Sequence, residues 1–235
     1  MDPEQLRRYP SPRADAFRAA AARVHGVSAD MILAGNGRDE ILSVALRTFL
    51  GPGDTLAYPD PTYSLYPVLA ESCEIRVCTV PWEAGFELPI AALLGTGARA
   101  IFFANHNAPT GTLVRRSRVR ELAIAFDGLV LVDEAYVDFA DESCLELVRE
   151  LPNVMICRTF SKGYALAGLR FGYAIAAPAL VAMPRRESQP SARFRPSGRN
   201  GSNNMTSTAK PVRMISGRMR RMSAVCTIFI DFLHG

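Results

Sequence analysis

Cysteine and histidine are scarce in this chain: of 235 residues, five are Cys and three are His. Cys73, Cys78, Cys144, Cys157 and Cys226 are odd in number, scattered and without a CxxC pair. That excludes a disulfide framework, and so few imidazoles exclude a zinc site; reduced, mostly buried thiols are expected. No apolar run approaches the ~20 residues of a membrane span. The opening Met1-Asp-Pro-Glu-Gln-Leu-Arg-Arg lacks the apolar core of a signal peptide, so a cytoplasmic location away from membranes is expected. With 49% hydrophobic and 21% charged residues, the chain can bury a sizeable core as one large domain or two small ones.

Charge divides the sequence. Residues 1–182 carry 17 Lys+Arg and 21 Asp+Glu, a balance of −4, whereas residues 183–235 carry 10 against 2, a balance of +8. Periodicity stops at the same place. Residues 183–222 are rich in Arg, Ser, Pro, Asn and Met, cannot bury enough apolar surface to offset ordering entropy, and are expected to be disordered. Residues 224–233 are apolar but isolated, too short for a bilayer and prone to aggregate. The tail's ten cations lack a readable motif or interleaved aromatics, so nucleic acid is not an expected partner.

Residues 13–25 have helical spacing up to Gly26, and 39–49 place Ile41, Leu42, Ala45, Leu46 and Phe49 on one face. Strand-like runs follow at 55–58, 74–80, 100–104, 129–132, 154–157 and 171–176, with helical patterns at 62–72, 115–126 and 143–150 between them. This alternation predicts an α/β fold with a doubly wound, mostly parallel sheet over residues 1–182. Such sheets bind ligands beyond the carboxyl ends of their strands. Asn105 to Gly111, Asp133 and Ser161-Lys162 each follow a predicted strand, so three strand ends bring polar groups to one edge.

Those groups suit pyridoxal 5'-phosphate (PLP). In Arg158-Thr-Phe-Ser-Lys-Gly-Tyr-Ala-Leu-Ala-Gly-Leu-Arg170 a hydroxyl precedes a lysine and an arginine follows eight residues later. Lys162 is the expected Schiff-base amine, which when freed can carry a proton between the substrate carbon and the cofactor. Asp133, closing an apolar run, can hold the pyridine nitrogen protonated, and Tyr136 can reach the ring oxygen. Ser161 and Arg170 would take the phosphate. Gly35-Asn-Gly-Arg-Asp-Glu is a strand-to-helix turn in which Gly37, Arg38 and Asp39 can offer backbone N–H groups to the same phosphate. Tyr63 is expected to stack on the ring, while the spacing around Tyr9 carries no signal.

In order and spacing these motifs resemble the class I/II aminotransferases of the PLP-dependent fold-type I superfamily, most nearly the histidinol-phosphate aminotransferase branch. The resemblance runs over about residues 4–182, through Arg8-Tyr-Pro-Ser-Pro, Gly35-Asn-Gly-Arg-Asp-Glu-Ile-Leu, Pro61-Thr-Tyr-Ser-Leu-Tyr, Pro109-Thr-Gly, Asp133-Glu-Ala-Tyr and the Lys162 segment. It implies amino transfer between an amino donor, L-histidinol phosphate, and the 2-oxo acid 2-oxoglutarate. It also implies a homodimer in which Tyr9 reaches the neighbouring subunit's cofactor. Ala108 stands where the family has Asn, leaving Asn107 to supply an amide to the ring oxygen. The resemblance further implies an N-terminal arm and a small C-terminal domain that residues 1–235 do not match. Weak or no transamination with residual PLP binding is therefore expected, and a frameshifted or truncated gene would account for residues 183–235. Alternative readings are another fold-type I PLP enzyme, such as an aromatic aminotransferase or threonine-phosphate decarboxylase, or a non-catalytic scaffold with a nucleic-acid-binding tail.

Overall fold

The computed structural model describes residues 7, 9 and 11–182; the expectations for 183–235 lie outside them. The elements are α1 (Asp15–His25), β1 (Ile32–Gly35), α2 (Arg38–Phe49), β2 (Thr55–Asp60), α3 (Leu65–Ser72), β3 (Arg76–Pro81), α4 (Ile90–Leu94), β4 (Ala100–Ala104), α5 (Arg116–Ala125), β5 (Leu129–Asp133), α6 (Leu147–Glu150), β6 (Val154–Thr159), β7 (Gly172–Ala176) and α7 (Pro178–Val181). They build a seven-stranded sheet in the order β1-β7-β6-β5-β4-β2-β3.

Side chains alternate across the sheet as strand geometry requires. Ile101, Phe103, Val130, Val132, Val154 and Ile156 face one layer, which includes Phe17 of α1 and Val119 and Leu122 of α5. Phe102, Leu129, Leu131, Met155 and Cys157 face the other, with Ile41, Leu42 and Leu46 of α2 and Tyr66 of α3. Helices on both faces explain why the central strands read as unbroken apolar runs; β4, β5 and β7 are buried along their full length. Among the described residues no helix is long and apolar enough to cross a membrane.

All the strands run parallel except β7, which is antiparallel to both β6 and β1. Direction decides which residues share an edge. The carboxyl ends of β1, β2, β4, β5 and β6 lie together, and reversed β7 delivers its first residues to that same edge. The segment before Gly172, carrying Arg170, is thereby set beside the ends of β1 and β6. Sheet order also reverses between β2 and β4, which is where ligands bind in such folds.

Two expectations change in detail. The helix expected at 143–150 is confined to Leu147–Glu150, because Ser143 and the Cys144 N–H turn back onto Glu134 instead of entering a helical turn. The first helix begins at Asp15, since Ala14 adopts a left-handed conformation (φ 52°) and the Asp15 N–H is met by the Ser11 hydroxyl at 3.3 Å. The short α4 has no sustained period to announce it. Of the expected buried thiols, Cys144 and Cys157 are buried, while Cys73 and Cys78 are only partly so.

Candidate active site at the carboxyl edge of the sheet

β5 ends on Asp133, whose carboxylate is completely enclosed. Its Oδ2 lies 3.0 Å from Nη1 of Arg38, and the Tyr66 hydroxyl donates to it at 3.3 Å. The Ala135 N–H donates to Oδ1 at 3.2 Å. Burial pushes the Asp133 carboxyl above the ordinary carboxylate range, and Arg38 beside it opposes that shift. Burial works to weaken the Arg38 cation, but Asp133, Tyr63, Tyr66 and Asp39 together outweigh it and hold the guanidinium protonated. Arg38 is itself buried. Its Cζ sits 4.0 Å from the centroid of the Tyr63 ring, within reach of a cation–π attraction. Its Nη2 donates to Asp39 Oδ1 at 3.2 Å, and its Nε is buried without a hydrogen-bond partner.

The turn from β1 into α2 needs glycine. Gly37 has φ 83°, and a Cβ there would stand 2.7 Å from Nη2 of Arg170. Across from it, a Cβ on Gly172 would fall on the backbone nitrogen of Arg38 and the carbonyl carbon of Gly37. These two positions let the first residues of α2 and the start of β7 lie in contact. Arg170 Nη2 lies 3.8 Å from Asp39 Oδ2, so the cation stands beside the positive end of a twelve-residue helix. Gly37, Arg38, Asp39 and Arg170 thus form one cluster. Ser161 lies beyond the end of β6, its hydroxyl 3.0 Å from that of Thr159.

Lys162 is exposed, with its Nζ 5.4 Å from the centre of the Tyr136 ring. It is the sole lysine of residues 1–182. Because β5 and β6 are parallel neighbours with Asp133 opposite Cys157, the Lys162 amine and the Asp133 carboxylate belong to adjacent strand ends. Asn107 is buried, and its amide nitrogen donates to the Pro61 carbonyl at 2.9 Å and the Thr110 hydroxyl at 2.8 Å. Its Oδ1 accepts from Thr62 at 2.8 Å, so the side chain ties the 105–111 loop to the loop after β2. Tyr9 is fully exposed on the single chain.

Several contributors lie outside the expectations drawn from sequence. Tyr66, one helical turn after Tyr63, bonds Asp133; its spacing is the available signal. No local pattern marks the side chain of Arg38. Behind the edge, Glu134 (1% exposed) takes two bonds from Arg158, at 3.0 Å from Nε and 2.7 Å from Nη2. Ser143 and the Cys144 N–H complete the carboxylate's shell at 3.1 and 2.6 Å. This pair joins the residue after Asp133 to the strand that leads to Lys162.

The profile of aminotransferase class I and II matches residues 2–199, most of the chain. The chain belongs to the class I and II aminotransferases. Over 181 residues it is 44% identical to a histidinol-phosphate aminotransferase of Trichormus variabilis, a match covering 77% of this chain and 52% of that protein. The chain thus spans about half the length of the curated relatives it matches. Among solved structures it resembles the histidinol-phosphate aminotransferase of Sinorhizobium meliloti, determined in complex with pyridoxal-5'-phosphate. That likeness has a TM-score of 0.71 at 29% identity, over 76% of this chain and 51% of that one. An L-threonine-O-3-phosphate decarboxylase from Porphyromonas gingivalis matches at TM-score 0.66 and 24% identity over 76% of this chain and 54% of its own, and shares the fold alone. The mostly parallel sheet expected from the sequence is the aminotransferase large-domain architecture. The turn after β1, the loop after β4, Asp133 and the Lys162 segment all stand at the carboxyl edge of that sheet.

Proposed function

We propose that residues 1–182 hold PLP at this edge and serve a transamination in histidine biosynthesis, between L-histidinol phosphate and 2-oxoglutarate. Imidazole-acetol phosphate and glutamate are the products. The observation that carries the reading is that the domain's sole lysine and its fully buried strand-end carboxylate occupy neighbouring strand ends. The relatives' names support the substrate choice, and the wider fold leaves the amino donor open.

The residues present fit the cofactor. The glycines at 37 and 172 bring the first residues of α2 against β7 and Arg170, so a helix N-terminus and a cation stand together, suited to a phosphate dianion. The enclosed Asp133 is an anion that a ring cation can neutralise. Bound there, PLP supplies an electron sink for charge developing on the substrate carbon. Lys162 would provide the amine that holds the cofactor by its aldehyde and would carry the proton to be moved. Tyr136, beside that amine, would donate to the ring oxygen. Ser161, Arg170 and the first N–H groups of α2 hold the phosphate, and Tyr63 supports the ring. Asn107, its two amide N–H groups engaged with Pro61 and Thr110, positions the 105–111 loop at this edge. Tyr9 serves a partner subunit's site in a homodimer, and the assembly works in the cytoplasm.

Incubating the full chain with PLP, reducing with borohydride and mapping peptides by mass spectrometry tests this. The modification is expected at Lys162. Modification confined to Lys210 or the N-terminal amine, or none on folded chain, refutes it. Comparing L-histidinol phosphate with aromatic amino acids and threonine phosphate as ligands of the loaded protein then tests the donor.

A further inference from the structure

Resting on that reading, we propose that Arg38 is the resident counter-ion of Asp133 while the cofactor is absent, and that it must withdraw before the cofactor ring is seated. The guanidinium already does what a protonated pyridine would do. It is planar and cationic, lies 4.0 Å over the Tyr63 ring, and donates from Nη1 to Asp133 Oδ1 at 3.3 Å with Oδ2 3.0 Å away. One carboxylate with no solvent contact cannot serve two cations at once, because like charges at that distance repel strongly in a buried site. Cofactor and Arg38 therefore compete for the same anion and the same aromatic face.

The pair is also built to open. Arg38 Nε has no hydrogen-bond partner, so the closed arrangement leaves one buried donor unsatisfied. Nη2 is already bonded to Asp39, whose side chain is 41% exposed, and Asp39 in turn faces Arg170 and the Tyr63 hydroxyl. The guanidinium has a second carboxylate to accompany outward, at the helix end where the phosphate arrives. In the cofactor-free chain Arg38 opposes the upward push that burial exerts on the Asp133 carboxyl. The sequence role given to Arg38, backbone N–H donation, is compatible with this. Its side chain adds a gate on cofactor entry.

A purely structural ion pair would stabilise the chain without opposing the cofactor, and this separates the two roles. With the full chain, PLP capture is followed by absorbance at equilibrium and in stopped flow, and the melting temperature of the cofactor-free protein is recorded. Arg38→Met, which retains apolar contact with Tyr63 but no charge, is expected to bind PLP on the order of 10-fold faster or tighter, as the open state no longer has to be selected. Its cofactor-free melting temperature falls, and in an Asp133→Asn background the same change costs little. Should Arg38→Met fail to fold, Arg38→Lys keeps a cation without the planar stack and is expected to capture PLP faster than wild type. Unchanged or slower capture by the folded variant, with the adduct still forming on Lys162, overturns the gate while leaving the proposed function intact. Absence of a Lys162 adduct in both wild type and variant overturns the proposed function, and the gate with it.

Discussion

Arg158→Met removes the cation from a carboxylate that has almost no access to water. Glu134 is 1% exposed and receives Arg158 through Nε and Nη2 at 3.0 and 2.7 Å. Breaking one side of a buried ion pair typically destabilises by about 3–5 kcal/mol, because the remaining charge stays desolvated. Ser143 and the Cys144 N–H still donate to Glu134, which sets the expectation at the lower end, about 3 kcal/mol. Against a total stability of roughly 5–15 kcal/mol this is a large fraction. In urea, with a slope of about 2 kcal/mol/M, the midpoint should fall by about 1.5 M with the slope unchanged. The double variant Glu134→Leu/Arg158→Met should recover most of that loss, since two apolar groups replace the pair. A midpoint shift below ~0.5 M for the single variant, or no recovery in the double, would show that the pair is dispensable and refute the reasoning.

Lys162→Ala should abolish the reducible PLP adduct while changing urea stability by no more than about 0.5 kcal/mol, because the side chain is exposed; peptide mapping and denaturation check both halves. Gly172→Ala should destabilise by about 1–3 kcal/mol, because the new methyl meets backbone of Gly37 and Arg38 that cannot yield as a side chain would, and PLP affinity should fall with it. Burial, reinforced by Arg158 and Arg149, lowers the His25 pKa from 6.5 to about 3. The unfolded chain therefore takes the proton first. The stability that neutral His25 supports is complete above pH 6.5 and is lost as pH falls toward 3, by at most ~1.4 kcal/mol per pH unit. His25→Gln should flatten that acid limb in pH-dependent denaturation, and an unchanged limb would assign it to carboxylates instead.

The sheet was legible because its central strands are apolar on both faces. Phe102 and Phe103, or Val130 and Leu131, can be adjacent and apolar only if helices cover both sides, and the structure has those two layers. Strand direction was not legible for β7. Nothing in Gly172–Ala176 distinguishes a parallel from an antiparallel partner, yet its reversal is what brings Arg170 to the edge. Asp133 and Lys162 could be placed at strand ends because one closes β5 and the other comes soon after β6, so each position depends on local chain geometry. Partnerships reaching across 95 or 24 residues, such as Arg38 with Asp133 or Arg158 with Glu134, leave no periodic trace.

Arg38 is the residue most affected by this contrast between local and long-range placement. Read locally, a residue opening a helix after Asn-Gly contributes a backbone N–H, and its side chain is free to face solvent. The close contact of Gly37 and Gly172 removes that freedom by pressing the helix start against β7, where Arg38 is 8% exposed and its side chain runs inward to the end of β5. A long cation forced inward must find an anion, and Asp133, enclosed by Tyr66 and the sheet, must find a cation. Each satisfies the other's need. The same burial that makes Asp133 a strong partner for a ring cation therefore makes it a strong partner for Arg38, so a mutation that weakens one attraction without the other should shift cofactor capture more than it shifts stability.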